Sequence, residues 1–172
     1  MTISLKEIRQ LLPHRFPLAL VDRVLELQVN HSLRAIKCVS ANEPCFAALA
    51  DNADDDACCY PQTLMIESFL QAAGIFLIAS QKADAAAADA PTQPMVLLFG
   101  SLSDCAFYGD VQAGDTLEHS VKLERMFAGS AIVSGQSRVG ARVVFEVGQA
   151  VVVIRPAESL EAGRMGLPSK SS

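Results

Sequence analysis

The sequence predicts an α+β fold in which a curved antiparallel sheet wraps one long helix, and three observations carry that prediction. Residues 62–80 form an almost unbroken apolar run, too long for a strand and without a polar face of its own. Strand-like runs lie on both sides of it, two before and four after. Turn residues separate those runs, at Asn30-His31, Ala113-Gly114-Asp115 and Val139-Gly140-Ala141. A helix lacking a polar side needs cover all round, which a sheet bent around it supplies.

The elements follow in order. SLKEIRQLLP repeats apolar residues at Leu5, Ile8, Leu11 and Leu12, with Ser4 as N-cap, Glu7 completing a capping box and Pro13 ending the helix. Residues 18–29 and 33–40 then read as a hairpin. The long helix over 62–80 begins at Pro61. The alanine-rich stretch 82–94 ends in two prolines and reads as a surface connector, with a frayed helical extension as the alternative for its start, inside a single domain, residues 1–156. Further strands are expected over 94–102, 116–127, 130–139 and 141–156, and residues 157–172 read as a mobile tail.

Composition excludes several functions. The chain has 172 residues, 51% hydrophobic and 19% charged, enough for one sizeable core. A net charge of −5 and no basic stripe argue against an electrostatic grip on nucleic acid or anionic lipid. The N-terminus lacks the pattern of a secretory signal, which points to the cytoplasm. At 1.5 Å per residue the apolar helix would cover about 28 Å. Glu67 and Gln71 in its middle nevertheless argue against a membrane span.

The five cysteines (Cys38, Cys45, Cys58, Cys59 and Cys105) include no C-x2-C pair and read as free thiols. Adjacent Cys58 and Cys59 suit neither a disulfide nor two tetrahedral metal ligands. The run Asp51–Asp56 lacks the glycine and closing glutamate of a calcium loop. No metal site and no cofactor are expected.

Glu67 and Gln71 are the polar residues that the apolar helix has to explain. Four positions apart, they share one face, so the amide can hydrogen-bond the carboxylate or a substrate. A carboxylate desolvated in such a helix would have its pKa raised, as an acid catalyst requires. Its alternative fate is a carboxylate reaching water at a helix edge, or a structural pair across a dimer interface.

Four blocks in order carry a resemblance. LLPHRFPLALVDRV (11–24), Asn42-Glu43-Pro44 followed by Phe46, PQTLMIESFLQAAG (61–74) and LFGSLSDCAFYGDVQAGDTL (98–117) resemble the bacterial (3R)-hydroxyacyl-acyl carrier protein dehydratases, which have the hot-dog fold. The resemblance implies a dehydration needing a base for the α-proton, an acid for the departing hydroxyl and donors for enolate-like charge. It implies that Glu67 is the acid side of a site shared between two subunits, with Gln71 supporting it. It further implies substrate contact at Pro61, Gln62, Phe99 and Gly100, and acyl carrier protein as a partner.

The departures from the family are equally specific. Between Phe46 and Pro61, where the family has its histidine base in a Gly/Pro framework, this chain has AALADNADDDACCY, with no histidine. Gln62 replaces the glycine after the helix-start proline, adding a side chain where a thioester would approach. Phe107-Tyr108-Gly109-Asp110 offers no basic residue to an acidic carrier protein. Of the remaining histidines, His14 belongs to the family's structural LPHR block, His31 sits in a hairpin turn, and His119 shares a strand face with Leu117, Val121 and Leu123.

The expected function is thus a dehydratase-family subunit, inactive alone, whose base comes from a histidine-bearing paralogue in fatty-acid, polyketide or aryl polyene synthesis. The expected assembly is a dimer formed by sheet pairing, homodimeric or heterodimeric. An autonomous hot-dog dehydratase or thioesterase using a carboxylate, and a noncatalytic acyl-binding module, are the alternatives.

Overall fold

A computed structural model describes residues 2–91 and 95–157. Helix α1 (Leu5–Leu11) starts after Ser4, whose backbone N–H donates to Glu7 Oε2 at 2.8 Å. Its last turn closes with the Leu12 N–H on the Ile8 carbonyl, and Pro13 cannot continue it. Strands β1 (Arg23–Gln28) and β2 (Ser32–Cys38) form the predicted hairpin, with Asn30 at φ 58 in its turn. The first strand is shorter than the expected 18–29 because Leu18 and Leu20 bond the Gln71 side chain and not a neighbouring strand.

Helix α2 (Gln62–Ala87) continues past the expected end at residue 80. Once the packed turns are formed, alanines add to a helix at little cost. The extension is also tethered: Asn30 Nδ2 donates to both Asp84 carboxylate oxygens at 2.9 Å, and the Asn30 N–H to Ser80 Oγ at 3.1 Å. Much of the stretch read as connector, 82–87, is therefore helical, while 92–94 and the tail beyond Ala157 lie outside the described residues.

The remaining strands are β3 (Met95–Phe107), β4 (Thr116–Phe127), β5 (Ser130–Val139) and β6 (Arg142–Pro156). They join the hairpin in one antiparallel sheet of order β1-β2-β4-β5-β6-β3. Gly114, Gly129 and Gly140 adopt positive φ at the connections, where a Cβ would be strained. β3 runs beyond residue 102 because the added stretch, although polar, pairs with β6 as far as Phe107↔Phe145. β3 ends the sheet order, and Leu98 and Leu102 on it are exposed.

The sheet curves around α2, which meets β2, β3 and β4. Phe69, Ile75, Phe76 and Leu77 are fully buried, each contributing about 1.5–3 kcal/mol by leaving water. The Phe69 ring meets Phe145 edge-on at 6.0 Å, and Phe145 stacks on Phe107 at 4.6 Å, linking the helix to β6 and β3. By length and composition α2 is apolar enough to cross a membrane, yet 67% of its most apolar window is buried in the domain, as in a core helix.

One glycine marks where sheet and helix touch most closely. A Cβ at Gly135 would collide with the Ser120 carbonyl oxygen and stand 3.0 Å from Phe69 Cε2. Gly135→Ala is therefore expected to cost at least about 1–3 kcal/mol as overpacking, read as a lower urea midpoint. An unchanged midpoint would mean that β4 and β5 separate freely here.

Candidate functional site

The start of α2 is pinned from below. Tyr60 donates its N–H to the Val111 carbonyl at 2.6 Å, and Pro61 caps the helix with its carbonyl accepting the Leu64 and Met65 N–H groups. Tyr60 is 2% exposed and its hydroxyl has no partner, so burial holds its pKa well above the usual tyrosine value. At the other end of the 47–60 loop, Lys37 Nζ pairs with Glu43 Oε1 and donates to the Cys38 carbonyl at 2.8 Å. Both side chains are nearly buried, which fixes where the loop begins. The asparagine-glutamate-proline block flagged this place in sequence, but nothing there named Lys37 as its partner.

Glu67 lies on the side of α2 that faces α1 and the segment after it. Its side chain is 34% exposed, so full desolvation of the carboxylate, expected from the apolar run, is not found in this chain. The neighbours of α2 on this side are α1 and the 12–20 segment, and they leave a cleft. Gln71, 2% exposed, organises the contact: its Oε1 accepts the Leu20 N–H at 2.9 Å, and its Nε2 donates to the Leu18 carbonyl at 2.6 Å and to Glu67 Oε1 at 2.8 Å. With both donors and the acceptor engaged, the amide has one orientation.

The cleft has a volume of ≈ 460 Å³. Glu67, Leu70, Gln71, Gly74 and Ile78 line it from α2, Leu12 and His14 from the α1 side, and Met95, Leu97 and Phe99 from β3. Of the residues singled out in sequence, Glu67, Gln71 and Phe99 come together here. Pro61, Gln62 and Gly100 are not among its lining residues.

His14 is the cleft residue that the sequence did not connect with Glu67. Its Nε2 stands 3.5 Å from Glu67 Oε1, and its Nδ1 is buried with no partner. The peptide around it is held by Arg15, whose guanidinium donates to the Leu12 carbonyl at 2.8 Å, the His14 carbonyl at 2.7 Å and the Arg9 carbonyl at 3.1 Å. These residues are more than fifty positions from Glu67 in sequence, so no local pattern reveals the contact.

The other histidines are elsewhere. His31 is exposed in the β1–β2 turn. His119 is completely buried, with Nδ1 2.7 Å from Ser137 Oγ and no partner for Nε2, and burial pushes its pKa down to about 3. Leu117 and Val121 are buried on the same face, as the alternation predicts. Asp51, Asp54, Asp55 and Asp56 are all exposed, and among the described residues no group of three His, Cys, Asp or Glu could hold a metal ion.

Comparison with known proteins agrees with the fold. The FabA-like domain family matches residues 12–148. The chain is 34% identical over 142 residues to the 3-hydroxyacyl-acyl-carrier-protein dehydratase FabZ of Dichelobacter nodosus, covering 83% of this chain and 90% of that protein. It is 35% identical over 144 residues to the enzyme of that name from Paracidovorax citrulli, covering 84% and 92%. Among solved structures, the dehydratase heterocomplex ApeI:P from Xenorhabdus doucetiae superposes with a TM-score of 0.71 at 15% identity, over 93% of this chain and 97% of that one. A hot-dog-like protein from Thermanaerovibrio acidaminovorans gives a TM-score of 0.59 at 15% identity, over 83% and 96%. These two likenesses establish a hot-dog fold.

Proposed function

Because the chain belongs to the FabA-like family and, within it, to the FabZ-like 3-hydroxyacyl-acyl-carrier-protein dehydratases, we propose that it is a dehydratase subunit supplying Glu67 to a site whose base comes from another chain. The observation that carries this reading is the state of Glu67: open to the cleft, yet oriented by a buried amide. A carboxyl group held this way can, in its protonated form, give a proton to a departing β-hydroxyl. The α-proton must leave to a second group on the other side of the substrate. His14 touches Glu67 and leaves no room for substrate between them, His119 is sealed in the core, and residues 47–60 contain no histidine.

The base is then a histidine of a paired paralogue, with dimerisation through the edge of β3. The first N–H groups of α2 and the positive end of its dipole supply stabilisation for charge on the thioester carbonyl. The acyl group arrives on acyl carrier protein, in fatty-acid, polyketide or aryl polyene synthesis. Its chain lies along the cleft, whose α2 wall from Glu67 to Ile78 measures about 16 Å at 1.5 Å per residue.

Gly74 keeps that cleft open at its middle. A Cβ there would come within 3.3 Å of Leu12 Cδ2 and 3.5 Å of Leu97 Cδ1. Gly74→Val is expected to raise KM for long acyl chains about tenfold or more while sparing four-carbon substrates, measured over a series of 3-hydroxyacyl thioesters. Equal effects on short and long chains would show that the acyl group lies elsewhere.

The whole reading is tested by assaying 3-hydroxyacyl carrier-protein dehydration with this chain alone and with a histidine-bearing paralogue encoded beside it. Turnover only by the mixture supports the composite site. Full activity of the chain alone would instead make it an autonomous enzyme, and carrier-protein binding without turnover in either case would make it a noncatalytic acyl-binding module.

A further inference from the structure

We infer that His14 is the proton source that recharges Glu67 between turnovers, a role that rests on Glu67 being the acid of the proposed site. The two oxygens of the Glu67 carboxylate are not equivalent. Oε1 receives the Gln71 amide at 2.8 Å and has His14 Nε2 at 3.5 Å, while Oε2 has no hydrogen bond to any described residue. Oε2 is thus free for the substrate, and Oε1 is the side from which a proton can be returned. Long contacts of this kind in an empty site shorten when substrate closes it.

The imidazole has the properties that a relay needs. Its side chain is 35% exposed, so water can reach the ring. Its Nδ1 is buried without a partner, which leaves Nε2, the nitrogen facing Glu67, as the one that can carry a proton between water and the carboxylate. Arg15 holds the 12–15 backbone through three carbonyls, which keeps the ring against the helix without touching the ring itself.

The proton balance closes. The partner's base takes the α-proton, the Cβ–O bond breaks as the proton on Glu67 Oε2 passes to the hydroxyl, and water and the enoyl thioester leave. Glu67 is then a carboxylate, and His14 takes up a proton from solvent. Nε2–H returns a proton to Oε1, a half-turn of the carboxyl about χ3 brings the recharged oxygen to the cleft, and His14 takes its next proton from solvent. The partner's base releases the α-proton to solvent, so no net proton is consumed.

The test uses the active pairing of this chain with its histidine-bearing partner and a 3-hydroxyacyl carrier-protein substrate. His14→Ala is expected to lower kcat about 100-fold with KM nearly unchanged, and added imidazole is expected to restore a large part of it. His14→Gln, which fills the same space without carrying the proton, is expected to be as slow as His14→Ala. Equal kcat for wild type and His14→Ala overturns the inference and leaves the composite site standing. Recovery by His14→Gln without rescue by imidazole also overturns it, since the ring would then be a spacer. A wild-type mixture that does not turn over overturns the composite site and the relay together. Folding of each variant is checked by its urea midpoint, and a His14→Ala chain that fails to fold leaves the decision to His14→Gln, whose full activity overturns the relay.

Discussion

Glu67→Gln is expected to lower kcat of the mixed dimer by about 10²–10⁴-fold, the range for loss of a positioned general acid, which corresponds to about 3–5 kcal/mol of barrier. The substitution keeps the size of the side chain, and a carbonyl oxygen can still accept the Gln71 amide that Glu67 Oε1 accepts at 2.8 Å. What disappears is the carboxyl group that the proposed acid role requires. KM should therefore change little, because ground-state packing is preserved, and steady-state kinetics separate the two parameters. A variant within a few-fold of wild type would remove Glu67 from the chemistry. Loss confined to KM would make it a binding residue.

Acid is expected to weaken this chain through His119. Burial holds its folded pKa at about 3, against about 6.5 for an exposed histidine. Above pH 6.5 the side chain is neutral in both states and the fold has its full stability. Between about 6.5 and 3 the unfolded chain binds a proton that the folded chain refuses, so stability falls as pH falls, by up to about 1.4 kcal/mol per pH unit. Ser137 Oγ, 2.7 Å from Nδ1, is its hydrogen-bond partner, and Nε2 has none. Replacing both residues, His119→Leu with Ser137→Ala, removes the proton site and the orphaned hydroxyl together. Urea midpoints at pH 7 and pH 4.5 should then lie closer together in the double variant than in wild type. An equal pH slope in both proteins would mean that His119 is protonated without unfolding.

Turns and periodicity made much of this fold readable. Residues 116–127 and 130–139 are strands with the expected ends, because Gly114, Gly129 and Gly140 punctuate them with backbone conformations that other residues resist. The elements that changed length did so for tertiary reasons. Residues 81–87 have no apolar repeat and are helical because a packed helix carries them and Asn30 ties them down. Residues 103–107 look like a loop and are strand because β6 lies beside them.

The site divides in the same way. Glu67 and Gln71 are neighbours by helical spacing, and the resemblance had singled out Phe99, which lines the same cleft. The approach of His14 to Glu67, and the grip of Gln71 on Leu18 and Leu20, depend on how α1 and the following segment return to the helix. No window of sequence contains both partners.

The Gln71 amide has a consequence for how such a chain could arise. Among the described residues, the hydrogen bonds that orient Glu67 run through residues 18, 20 and 71, and none comes from 47–60. In the proposed composite site the acid half and the base half are then separate inheritances. After a gene duplication one copy could let its loop drift, lengthen and lose its histidine without disturbing the carboxylate it still contributes. The reverse experiment is equally available to an engineer: a histidine-bearing loop grafted between Phe46 and Pro61 would meet a carboxylate already oriented by Gln71.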